Sequence, residues 1–181
     1  DVAEISKPNL EGVKAGLCNL DKHIANLKAF GQTVVVCLNR FATDTDEELA
    51  LVKEHCEAQG VGFAINTAFG EGGKGAENLA HLVVDTIEKN PSAPLNYVYE
   101  EADDIATKVE KIATNIYGAG KVVLRPAAKR DLQRIKELNL EHLPVCIAKT
   151  QYSFSEDAKA YGAPSGFPIT IRNFVINAGA G

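Results

Sequence analysis

QTVVVCLNR, residues 32–40, decides the fold. The run Val34-Val35-Val36-Cys37-Leu38 has no polar residue alternating through it. An unbroken apolar run this short predicts a strand covered on both faces, as in a parallel sheet. Helical patterns flank it. Upstream, Leu10, Val13, Leu17, Leu20, Ile24 and Leu27 recur at spacings of 3, 4, 3, 4 and 3, one apolar face of a helix over 8–29. Gly31 follows as a candidate left-handed cap. Downstream, Asp44 with Glu47, or Thr45 with Glu48, fits the capping-box spacing. Leu49, Val52 and Cys56 give that helix its stripe, and Gly60 ends it. VGFAINT (61–67) predicts a second strand, and Ala76, Leu79, Ala80, Val83 and Ile87 a third helix, stopped at Asn90-Pro91. Helix, strand, helix, strand, helix defines an α/β layer with parallel strands, and it calls for more strands than these two.

The texture changes at NPSAPLNYVYE (90–100), whose two prolines mark a linker. The expected division is therefore 1–95 and 96–181. The second part predicts a helix over 101–117 ended by Gly118, and a helix over 127–138 after Pro126. A short strand opens LPVCIAKTQYSFS (143–155), a loop covers 156–168, and ITIRNFVIN (169–177) reads as a strand. This is a smaller α+β segment. Its acidic cluster Glu100, Glu101, Asp103 and Asp104 reads as the first turn of a helix, where the dipole favours negative charge.

Composition excludes several classes. The chain has 181 residues, 45% hydrophobic and 24% charged, as in ordinary globular proteins. No apolar run reaches membrane-spanning length, and the N-terminus lacks signal-peptide character. The net charge is −5 with scattered Lys and Arg, which argues against a nucleic-acid surface. The cysteines 18, 37, 56 and 146 form no C-x-x-C pair, and Cys37 and Cys56 fall in apolar patterns. A reduced cytoplasmic protein with buried thiols is the expectation. His23, His55, His81 and His142 show no metal-ligand spacing, so no metal site is expected. The chain lacks Met and Trp, and NFVINAGAG stops just after a strand-like run. Both features suggest an excised fragment.

Three stretches could carry chemistry. In an open parallel sheet, ligands bind beyond the carboxyl ends of the strands. The first strand ends at Asn39-Arg40-Phe41 and the second at Asn66-Thr67, so both point to one rim. Asn39 has two readings: its amide could meet the edge of a base, or it could cap the turn into Thr43-Asp44. AFGEGGKGAEN (68–78) follows. It fails the phosphate-loop pattern at both ends, because Gly75 follows Gly73-Lys74 where Ser or Thr is needed and Ala68 stands where the first Gly is needed. Its glycines admit two readings, a flexible connection or a close backbone approach to a ligand at a helix N-terminus. Lys149-Thr150-Gln151-Tyr152-Ser153 is a dense polar set with an aromatic face, or else a solvated loop.

Together these stretches resemble formate–tetrahydrofolate ligase. The motifs are KPNLEGVKAGLCNLDKHIANLKAFG (7–31), VVVCLNRFATDTDEEL (34–49), GEGGKGA (70–76), IATNIYGA (112–119), LPVCIAKTQYSFS (143–155) and GAPSGFPITIRNFVINAGAG (162–181). They are collinear and span essentially the whole chain. The resemblance implies an enzyme that joins formate to tetrahydrofolate with ATP, through formyl phosphate, giving 10-formyltetrahydrofolate, ADP and phosphate. It implies Mg2+ with the ATP, a monovalent cation, and a cytoplasmic homotetramer. It also implies that 1–95 is part of a nucleotide-binding domain similar to phosphate-loop NTPases, with the true phosphate loop upstream, and that 96–181 is associated with folate binding and domain packing. The family's Pro-Gly-Leu-Pro segment is absent. The chain alone is accordingly expected to be catalytically incomplete.

Residue by residue, the resemblance places Asn39, Arg40 and Phe41 beside nucleotide and formyl phosphate. Phe69 stands where many members have tryptophan, which keeps the aromatic face and loses the indole N–H. Gly72, Gly73 and Gly75 match the family's loop, and Lys149, Thr150, Gln151 and Tyr152 match a motif on the folate side. No catalytic residue is assigned. The alternatives are a non-catalytic α/β module that binds a nucleotide or pterin, and a structural or assembly domain.

Overall fold

The computed structural model describes residue 4, residues 6–148, residues 152–177 and residue 179. The chain divides into two compact units, Asp1–Asn96 and Tyr97–Gly181.

Unit 1 runs α1 (Leu10–Ala29), β1 (Val35–Asn39), α2 (Asp46–Ala58), β2 (Gly62–Asn66), two short helical turns, and α3 (Glu77–Lys89). Asn9 caps α1 by accepting the Gly12 N–H, and Gly31 and Gly60 take the left-handed conformations expected after α1 and α2. The capping box of α2 forms with Thr45 and Glu48. Glu48 goes further: its second oxygen accepts the Asn9 backbone N–H at 2.7 Å, tying the start of α1 to that of α2. These bonds hold the Glu48 carboxyl below its usual range, the Asn9 N–H foremost, then the Thr45 N–H and hydroxyl.

β1 and β2 pair in parallel, with Val35 opposite Gly62 and Asn39 opposite Asn66. On one face Val34, Val36, Val61 and Phe63 pack with Leu20, Ile24, Val52 and Cys56 from α1 and α2. On the other, a side chain at Gly62 would meet Leu82 of α3. The expected burial on both faces of β1 is only partly realised. Cys37 lies on the α3 face but is exposed, because α3 packs mainly over β2. Cys18 and Cys146 are exposed too, so Cys56 is the buried thiol. Burial pushes its pKa up, with Asp21 and Glu57 adding to the effect.

Unit 2 contains α4 (Ile105–Ile112) continuing into a π turn (Ala113–Tyr117), β3 (Lys121–Leu124), α5 (Pro126–Glu137) and β4 (Pro168–Ile171). Pro126 sits in the first turn of α5, where its missing N–H costs nothing. β3 and β4 pair in parallel, Lys121 opposite Pro168. Ile105, Val109 and Ile135 form the core, with Val122, Leu132, Val145, Ile171 and Phe174 packed against it.

Three expectations fail here. The helix expected from 101 starts later, because Asp104 is its cap, accepting the Thr107 N–H, while Asp103 pairs with Lys111. The acidic cluster therefore precedes the first turn. The strand expected at 143–147 is absent, and the strand expected over 169–177 ends at Ile171, where the Phe174 N–H turns to Asp131. β3 was not anticipated at all; its four residues are too short for a periodic signal.

One buried cation explains how residues 141–145 are held without a ladder. Lys108 is fully buried and its Nζ donates to the carbonyls of Glu141 at 3.0 Å and Leu143 at 3.1 Å. The ammonium also lies 5.7 Å from the Tyr99 ring centroid. The Tyr99 hydroxyl in turn accepts the Val145 N–H at 3.2 Å. A buried ammonium with two carbonyl acceptors and an aromatic face replaces strand pairing as the fastening of this segment.

Candidate functional site

The parallel register brings the carboxyl ends of β1 and β2 side by side. Asn39 and Asn66 are opposite each other, and Asn66 Nδ2 donates to Asn39 Oδ1 at 2.9 Å. The turn after β1 is closed by Asp44, whose carboxylate accepts the Phe41 N–H at 2.8 Å. Turn capping is thus the work of Asp44, and Asn39 is left facing its neighbour on β2. Arg40 donates to Asp46 at 2.9 Å near the start of α2, an exposed pair of small energetic weight.

After β2 the glycine stretch is not an open loop. Ala68–Glu71 forms one α turn and Gly72–Ala76 a 3-10 turn, leading directly into α3. Two of its glycines have a physical reason. Gly72 has φ +62° and ψ −147°, a conformation open essentially to glycine alone. Gly75 lies against the strand end: a Cβ there would sit 2.5 Å from the Thr67 carbonyl carbon and 2.7 Å from the Ala68 nitrogen. Its carbonyl accepts the Thr67 N–H at 3.1 Å. The close backbone approach expected of these glycines therefore occurs within the chain, folding the turn back on β2. A Cβ at Gly73 would meet nothing within 4 Å.

Two phenylalanines stand out on this rim. Phe41 is 70% exposed and Phe69 fully so, each a few residues beyond the end of an adjacent strand. The parallel register explains why both follow the same edge of the sheet.

In unit 2, Lys149, Thr150 and Gln151 lie outside the described residues, and Tyr152 is exposed. The sequence reading missed a cavity of about 1080 Å³, bordered by Tyr97, Tyr99, Val145, Phe154 and Phe174 among others. Tyr97 and Tyr99 stack at its side with ring centroids 5.5 Å apart. Tyr117, also on its wall, has its pKa raised by burial. The apolar side chains come from segments far apart in sequence, so no local pattern announced it. Asn66 was also passed over as a site residue; the signal available was an asparagine at the end of both strands.

Among the described residues no cluster of His, Cys, Asp or Glu could hold a metal ion, and no helix is long and apolar enough to cross a membrane. Fold and rim together define an α/β protein with helix-flanked parallel strand pairs and two exposed aromatic rings beyond the carboxyl edge of the first. The family model described as formate–tetrahydrofolate ligase matches residues 1–181, and the chain belongs to that family. It is 59% identical over 177 residues to the formate–tetrahydrofolate ligase of Parabacteroides distasonis, covering 98% of this chain and 32% of that protein. The corresponding values are 58%, 97% and 32% for the Bacteroides thetaiotaomicron ligase, and 54%, 98% and 32% for that of Campylobacter concisus. The chain thus spans about a third of the length of these curated relatives.

Proposed function

We propose that this chain contributes part of the substrate site of an ATP-dependent ligase that joins formate to tetrahydrofolate, with formyl phosphate as the intermediate. The collinear family match across residues 1–181 carries this reading. The rim of unit 1 is its ligand-facing edge. Phe41 and Phe69 offer ring faces to a planar heterocycle of ATP or tetrahydrofolate, and Asn39 and Arg40 offer donors. Residues 1–95 are read as part of a phosphate-loop-NTPase-like domain, and 149–152 as a folate-side element of 96–181.

Phosphoryl transfer depends mainly on positioning and charge stabilisation. This chain supplies positioning. AFGEGGKGAEN lacks the phosphate-loop spacing, so Lys74 is not assigned a phosphate-loop role. Magnesium and a monovalent cation belong to the family chemistry, but the described residues contain no carboxylate or histidine cluster suited to hold an ion. Homotetrameric assembly and a cytoplasmic location are parts of the same proposal.

The test is titration of the 181-residue chain with MgATP and, separately, with tetrahydrofolate. Base–aromatic stacking is worth about 1–3 kcal/mol. Phe41→Ala and Phe69→Ala should each weaken binding of the stacked ligand by about fivefold or more. Unchanged affinity for both ligands in both variants would show that the rim is not the ring-binding edge. The same chain assayed with formate, ATP and tetrahydrofolate should give no 10-formyltetrahydrofolate.

A further inference from the structure

The amide of Asn66 is held from both ends. Its Oδ1 accepts the Ala68 backbone N–H at 3.0 Å, and its Nδ2 donates to Asn39 Oδ1 at 2.9 Å. Chemistry settles which end is which. A backbone N–H can only donate, so the Asn66 atom facing it is the oxygen. The NH2 end must then face Asn39, and an NH2 requires an acceptor. Asn39 is consequently turned with its oxygen toward Asn66 and its own NH2 away. Asn39 is exposed at the carboxyl edge of β1, and among the described residues its Nδ2 has no partner.

We infer that Asn66 is a positioning residue that fixes the polarity of Asn39: the chain Ala68 N–H, Asn66 amide, Asn39 amide makes Asn39 a hydrogen-bond donor at the rim. The ligand group selected is a hydrogen-bond acceptor, the chemistry shared by a phosphate oxygen of ATP and the carboxylate of formate. A ligand group that can only donate is rejected, since it would face an NH2 that cannot turn without breaking the bond to Asn66. The inference rests on the rim being a ligand site and deepens that reading.

Asn66→Asp tests it with almost no change of shape. One carboxylate oxygen still accepts the Ala68 N–H. The other now faces Asn39, whose amide must flip to offer its NH2 inward, leaving an oxygen at the rim. Side-chain amide NMR of 15N-labelled chain reads this directly. In the parent chain the Asn66 NH2 protons should exchange slowly with water and those of Asn39 quickly; in Asn66→Asp those of Asn39 should become protected. Asn39→Asp is the second variant. It keeps the acceptor for Asn66 and replaces the outward NH2 by oxygen, so it does not depend on the flip. Titrations with MgATP and with sodium formate, run separately, should show one of the two weakened about tenfold or more in both variants. The arm that changes identifies the source of the acceptor.

Exchange at Asn39 that does not respond to Asn66→Asp overturns the polarity relay. Affinities for MgATP and formate unchanged in Asn39→Asp, or no binding of either by the parent chain at millimolar concentration, overturn the selection of an oxygen acceptor. If Phe41→Ala and Phe69→Ala weaken binding while Asn39→Asp does not, this inference fails and the rim reading stands. If none of the three weakens it, both fail.

Discussion

Both units pair two parallel strands and pack helices against them, yet they are fastened differently. In unit 1 the joints are regular. A capping box starts α2, left-handed glycines end α1 and α2, and the strand ladder carries Asn39 and Asn66 to the same edge. In unit 2 the ladder is four residues long, and residues 141–145 are held by the ammonium of Lys108 and the hydroxyl of Tyr99. Regular joints repeat along the chain and follow a period. A side chain reaching more than thirty residues away to a carbonyl follows none. The difference teaches that the rim of unit 1 rests on backbone geometry, whereas residues 141–145 of unit 2 rest on individual side chains.

Lys108→Met attacks this contrast most directly. It keeps the stem and removes the ammonium, leaving the Glu141 and Leu143 carbonyls without their donor. Losing these charge-assisted bonds should cost unit 2 about 2–4 kcal/mol. All five tyrosines lie in unit 2 and the chain has no tryptophan, so tyrosine fluorescence during denaturation reports that unit alone. Stability unchanged within about 0.5 kcal/mol would mean that packing, not the cation, holds residues 141–145.

Gly75→Ala is the matching attack on unit 1. The added methyl would collide with the Thr67 and Ala68 backbone, which cannot rotate aside, and should cost about 1–3 kcal/mol in overpacking. Gly73→Ala, in open space, should be nearly neutral. Amide exchange over residues 62–76 distinguishes them. Equal behaviour of the two variants would show that the turn is not seated on β2.

The smallest effect concerns acid. Glu48 has its folded pKa lowered from the ordinary value near 4.5 by its bonds to Asn9 and Thr45. A depressed carboxyl contributes stability that is present above its unfolded pKa and is lost as pH falls through the folded one. Glu48→Gln should therefore flatten part of the loss of unit 1 stability below about pH 4.5 and leave the slope near neutrality unchanged. An identical acid limb in the variant would remove Glu48 from the linkage.

Much of unit 1 was legible because its signals are local. The Leu10–Leu27 spacing, the Thr45/Glu48 pair and the run at 34–38 each report an element within a few residues of themselves. Strand ends in such a layer must share an edge, so Asn39, Phe41 and Phe69 could be placed together without coordinates. The acidic residues of 100–104 misled because Asp serves equally as a cap and as a first-turn anion. Lys121-Val122-Val123-Leu124 carries no such signal because four residues are too few to show a period.

What the sequence by itself determined is the alternation of helix and strand in unit 1, the caps that bound those elements, and the rim to which the strands lead. Only the tertiary structure decided which groups face which. It made Asn39, open to two readings in the sequence, the partner of Asn66, made Gly75 a seat against Thr67, exposed Cys37, and sent Lys108 inward to two distant carbonyls. The reason is physical. Propensity, capping and periodicity act over one or two turns of chain, whereas burial and hydrogen-bond polarity are settled by neighbours that meet only after the chain has folded.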